Sequence, residues 1–183
     1  MPRTLKPAVL LIPGLMLTLL PLPGRTSQAQ DPQPITVENL DATEDGAYFS
    51  LRENRVIPSD EVTDANWDLR FQGTVISVNG RARLVDRAFD LVERAPEEGY
   101  KSDDPSTGPA VPAANHEGWY DYDPTSHLVM PVPDRTIAVM TPDSTYAKVE
   151  ILSYYENMVP DLGSPRFYTF RFVHQPDGTR EFR

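Results

Sequence analysis

Three blocks in the last third of the chain constrain its fold more than any other feature. They are Trp119-Tyr-Asp-Tyr122, Tyr146-Ala-Lys-Val-Glu-Ile-Leu-Ser-Tyr-Tyr155 and Phe167-Tyr-Thr-Phe-Arg-Phe-Val173. Each alternates, or is saturated, with aromatic and β-branched residues, and Pro, Asp or Gly separates it from the next. That is the period-two pattern of antiparallel strands. A sheet so rich in tyrosine and phenylalanine can also serve as a wall for a flat apolar ligand.

Upstream, residues 30–47 form a polar, proline-bearing lead-in with one short strand expected at Ile35-Thr-Val37 and partial disorder around it. Tyr48 to Ile57 reads as a strand or hairpin, followed by an acidic loop from Pro58 to Asn66. Trp67, Leu69 and Phe71 alternate with Asp68 and Arg70 as a half-buried strand, and Thr74 to Val78 continues to an Asn79-Gly80 turn. Residues 81–95 are the one helical candidate, because Leu84, Ala88, Leu91 and Ala95 recur at spacings of three and four before Pro96. A β reading of Arg83 to Val92 stays open, since apolar runs this short are ambiguous. Lys101 to Asn115 is a loop able to lie over a pocket. Arg135 to Met140 pairs with Tyr146 to Tyr155, and a last hairpin runs from Phe167 to His174, turns at Pro176-Asp-Gly178 and returns over Thr179 to Phe182. The expected fold is all-β and mostly antiparallel, with extended loops and at most one short helix at about 81–95.

The first 29 residues read as a cleavable secretory signal. Arg3 and Lys6 precede an apolar run from Ala8 to Leu22, and Ser27-Gln28-Ala29 supplies small residues before a cleavage point. Subtracting 29 from 183 leaves 154 residues, enough for one domain with a core. The signal holds Arg3, Lys6 and Arg25 and no acids, so the mature part keeps 14 basic and 27 acidic residues, a net charge of −13. Such a field disfavours nucleic acid and anionic membrane surfaces as partners. The chain has no cysteine, which excludes disulfides, thiolate metal sites and cysteine nucleophiles. No Gly-rich phosphate loop, Gly-x-Ser-x-Gly elbow or His-x-x-x-His pair occurs, so no catalytic set is visible and an enzyme is not expected.

Several blocks resemble the HmuY family of exported haem-binding proteins. They are Trp67-Asp-Leu-Arg-Phe71 with Ile76-Ser-Val-Asn-Gly80, then Ala95-Pro-Glu-Glu-Gly-Tyr100, the three aromatic blocks above, and Pro176-Asp-Gly178. They follow the family's order over Tyr48 to Phe182, so the resemblance implies an HmuY-like β domain over residues 48–183. It further implies a protein that clasps one haem between loops, sequesters it for uptake without turnover, and passes it to an outer-membrane haem receptor from the periplasm or the medium. The chain departs from the family in lacking a lipid-attachment cysteine, so no stable membrane anchor is expected, and in its short segment between Tyr100 and Trp119.

Haem recognition needs an imidazole or thioether for iron, apolar walls and donors for the propionates. The iron-ligand candidates are His127, which follows the Trp119 block, His116, three residues before Trp119, and Met130. Wall candidates are Trp119, Tyr120 and Tyr122; propionate partners are Arg135, Arg81 and Arg83. His174, on the face of Tyr168, Phe170 and Phe172, reads as a sheet-capping residue. A different class of function stays open: a family-fold domain that has lost haem ligation and serves as an interaction module of the cell envelope.

Overall fold

The protein is described by a computed structural model over residues 32–182; the signal expected over 1–29 lies outside that range. Eleven strands and two single 3₁₀ turns account for the regular structure. The strands are β1 (Ile35–Asp41), β2 (Ala47–Ser50), β3 (Arg55–Ile57), β4 (Leu69–Gln72), β5 (Val75–Val78), β6 (Arg81–Asp86), β7 (Tyr120–Asp123), β8 (Leu128–Pro131), β9 (Arg135–Met140), β10 (Tyr146–Tyr155) and β11 (Pro165–Gln175). They form a five-stranded sheet in the order β1-β11-β10-β9-β6, a four-stranded sheet β3-β2-β4-β5, and the separate hairpin β7-β8. Every strand pairing is antiparallel.

Strand alternation explains how the two larger sheets meet. Tyr168, Phe170 and Phe172 sit two apart on β11 and turn to one face, where they bury completely. Phe49 of β2 and Phe71 of β4 cover them, with ring centroids 5.2 Å and 5.1 Å from Phe170. The opposite face of β10 and β11 carries a second, smaller core of Phe89, Val92, Ala95, Val173 and Phe182. Lys148 is buried there, its Nζ donating to the carbonyls of Phe89 and Val92 at 2.9 Å each, which ties the 3₁₀ turn Phe89–Leu91 to the sheet.

The expected strands from Tyr48 to Val78 and from Trp119 to His174 are present, and three local expectations change. Residues 81–95 form no α-helix. Arg81–Asp86 pairs along its whole length with β9, and Leu91, which a helix would have buried, is 56% exposed. Pairing with a distant strand outweighs a weak local period. The lead-in strand runs to Asp41, longer than expected, because β1 pairs with β11 from Ile35↔Phe172 to Asp41↔Phe167 across a bulge. The returning arm expected over Thr179 to Phe182 forms no strand. Glu181 instead bridges to Arg94, and Phe182 N donates to Glu93 O at 2.8 Å.

The buried phenols predict a pH response. Burial pushes the pKa values of Tyr100, Tyr154 and Tyr168 upward. Each therefore keeps its proton to higher pH in the folded chain than in the unfolded one, which ionises near 10. Stability from these groups is full below about pH 10 and falls as pH rises beyond it. Denaturant midpoints measured from pH 8 to 11 are expected to drop only at the alkaline end. Tyr100 has a buried hydroxyl with no partner among the described residues. Tyr100→Phe is therefore expected to shrink that drop without loss of stability at pH 8; an unchanged alkaline slope counts against the assignment.

Candidate functional site

The β7-β8 hairpin is fastened to the body through its base. Trp119 is 2% exposed, packs among the rings of Tyr120, Tyr154 and Tyr168, and donates from Nε1 to Thr74 O at 2.8 Å. Tyr120 Oη donates to Ala113 O at 2.7 Å, and Val129 N donates to Tyr155 Oη at 2.9 Å. Arg135 supports the preceding turn by donating to the carbonyls of His116 and Gly118, while its guanidinium also faces Asp86 at 2.8 Å. At Gly118 any side chain is excluded, since a Cβ would fall 1.8 Å from Pro112 O.

The three iron-ligand candidates are His116 in the turn before β7, His127 at the hairpin tip and Met130 on β8. His116 and His127 both hold left-handed backbone, with φ of 65° and 59°. Such positions are uncommon for residues other than glycine, though histidine is among those enriched there. Each imidazole has a close polar neighbour at Nδ1. His116 Nδ1 lies against the Asp121 carboxylate, and His127 Nδ1 is hydrogen-bonded to Tyr122 Oη at 2.7 Å. The His127 contact is a hydrogen bond, whereas Asp121 Oδ1 is buried without a hydrogen-bond partner among the described residues, so the His116 contact is a close approach only.

The register separates the candidates into two groups. Asp121 is paired with Met130 and Tyr122 with Val129, so successive pairs point to opposite faces of the hairpin. His116, Asp121 and Met130 therefore belong to one face, with Met130 43% exposed. Tyr122 and His127 belong to the other. Among the wall candidates, Trp119 and Tyr120 have their rings occupied by the core, whereas Tyr122 is 36% exposed. Arg83 lies away from the hairpin tip beside Gly99, donating to Glu98 O at 2.6 Å; Arg81 is exposed at the start of β6. His174 caps the sheet as expected: its Nε2 meets Thr145 Oγ1 at 2.8 Å, and burial holds its pKa below the ordinary histidine range.

Acidic loops offer nothing comparable for a bare metal ion. Asp41, Asp104 and Asp123 spend their carboxylates on nearby Thr and Ser donors, and Asp103 accepts from Val78 N and Ala110 N. Among the described residues no group of three or more His, Asp or Glu side chains is disposed to hold a metal. No described helix is long and apolar enough to cross a membrane. The roles that sequence reasoning missed are those of Asp86, which faces Arg135 through the β6-β9 register, and of Asp121, whose carboxylate lies against His116.

Solved structures share this architecture. A protein described as a lipoprotein from Bacteroides fragilis superposes with a TM-score of 0.54 at 17% identity, over 80% of this chain and 90% of that one. The Tannerella forsythia HmuY analogue, in its apo form, matches with a TM-score of 0.55 at 15% identity, over 79% and 96%. A protein described as HmuY-like and haem-binding, from Bacteroides vulgatus, gives 0.52 at 16% identity over 78% and 91%. The fold is HmuY-like. At these identities the likeness concerns architecture. No family model matches the chain, and no curated protein does.

Proposed function

We propose that this is an exported haem-binding protein that sequesters haem for uptake, with iron held at the outer face of the β7-β8 hairpin by His116 and Met130. The observation that carries the reading is the pair of donors on one face: an imidazole whose Nδ1 lies against the Asp121 carboxylate, beside a half-exposed thioether on the register partner of Asp121. Imidazole and thioether are both established haem ligands. When bound, the haem supplies the iron and its spectrum; the chain supplies donors, orientation and partial exclusion of water. The HmuY-like fold and the haem-binding description of a structural neighbour support the same reading. Export as a released protein and hand-over to an outer-membrane haem receptor complete the proposal.

The test is a hemin titration of the mature protein, followed in the Soret region in ferric and ferrous states. A saturable shift is expected, and His116→Ala or Met130→Ala should each alter the spectrum and weaken binding at least about tenfold. Asp121→Asn should keep the ligand spectrum while lowering affinity about tenfold. If only His127→Ala changes the spectrum, the iron belongs on the Tyr122 face. No Soret change in either oxidation state defeats haem binding.

A second reading has its own observation: His116 and His127 are partnered on opposite faces, so they cannot grip one iron together without rearrangement of the hairpin. In that reading the domain is an envelope interaction module without ligation. Iron-free protoporphyrin separates the two, because retained affinity without iron means a pocket independent of the ligands, and no affinity for any porphyrin favours the module.

A further inference from the structure

We propose that the cleft between the open edge of β6 and the 99–117 loop binds a small carboxylate or phosphate anion. The cleft adjoins the loop that carries His116, and its anion chemistry is tested without haem. The cavity measures about 280 Å³ and is lined by Arg83, Leu84, Gly99, Lys101, Pro112 and Glu117 among others.

The cleft brings two cations, Arg83 and Lys101, together with the Glu117 carboxylate. Arg52, Arg55, Arg94, Arg135, Arg171 and Arg180 each sit in an ion pair with a carboxylate. Arg83 and Lys101 have no carboxylate within ion-pair distance among the described residues, although the whole chain has a formal net charge of −10. Two cations against one rim carboxylate leave the cleft locally positive in a negatively charged chain, which attracts an anion.

The guanidinium is also positioned. Arg83 Nη1 donates to Glu98 O at 2.6 Å and crosses Gly99, where a Cβ would meet the Arg83 side chain at 3.1 to 3.3 Å. Gly99 has φ of 82°, so the turn that admits Arg83 suits glycine. The remaining donors of the fork are free for a planar oxyanion.

Backbone supplies a third donor. Ala82 exchanges both of its outward bonds with Lys101, at 2.8 Å and 2.9 Å. Two residues along the same edge, Leu84 points its N–H in the same direction. Leu84 is itself among the residues that line the cavity. Glu117 on the rim opposes an anion, which makes it a control in the experiment.

Citrate and inorganic phosphate are to be titrated at constant ionic strength, with the backbone amides of Leu84 and Gly99 followed by NMR and chloride as the blank. Saturable shifts at both amides are expected, and the tighter of the two probes assigns carboxylate or phosphate chemistry. Arg83→Gln and Lys101→Gln should each weaken binding about fivefold or more, and Glu117→Gln should tighten it by a similar factor. Unperturbed amides elsewhere in the sheet confirm that each variant is folded. Shifts that do not saturate, that chloride reproduces, or that persist equally in the double variant overturn the proposal.

Discussion

Asp68→Ala is expected to lower the free energy of unfolding by about 3 kcal/mol. The Asp68 carboxylate is fully buried at the turn between β2 and β3. One oxygen accepts from Leu51 N at 2.8 Å and the other faces Arg52 Nε at 3.0 Å; contacts with Ser50 Oγ and Arg52 N at 3.4 Å add little. Truncation leaves the Leu51 N–H unpaired in a residue only 2% exposed, and strips a buried counter-charge from Arg52. Arg52 is 21% exposed and keeps Ala65 O at 2.8 Å, so the penalty is smaller than for a wholly buried pair. Asp68→Asn retains an acceptor for Leu51 and removes only the charge, so about half the loss is expected. Urea denaturation of both variants checks this. A loss under about 1 kcal/mol for alanine, or equal losses for the two, contradicts the account.

The Asp68 network shows where sequence reading ends. Asp68 stands between Trp67 and Leu69 in an alternating strand, and its period marks it as the polar face. In the fold it is buried, because the β2-β3 turn folds back over it and supplies the donors. The aromatic face of β11 was legible for the opposite reason: Tyr168, Phe170 and Phe172 state their burial by spacing alone. Segment 81–95 was not, since its state is decided by β9, about fifty residues away. The same holds at the hairpin. His116, His127 and Met130 were visible as residue types, yet which of them share a face depends on the Asp121↔Met130 register. Arg83 was visible as a cation, but its place beside Gly99 and Lys101 comes from a loop bridging to the β6 edge.

Trp119→Ala is expected to cost about 3–5 kcal/mol, the range for emptying a large aromatic site in a packed core. Its indole fills the space where β7 meets β10 and β11, between Tyr154 and Tyr168. Those phenols are held by neighbours that cannot follow: Tyr168 Oη donates to Gly73 O at 2.6 Å, so the cavity relaxes only partly. Trp119→Phe keeps most of the volume and removes the Nε1 bond to Thr74 O, for an expected loss of about 1 kcal/mol. The pair of variants also separates two roles for this side chain. If Trp119 is the base of the hairpin, the phenylalanine variant retains the hemin spectrum and affinity, since His116, Asp121 and Met130 keep their register. If Trp119 is instead a wall against the porphyrin, the same variant shifts the Soret band or weakens hemin binding while its stability barely changes. The buried indole, closed on by three tyrosines, predicts the first result.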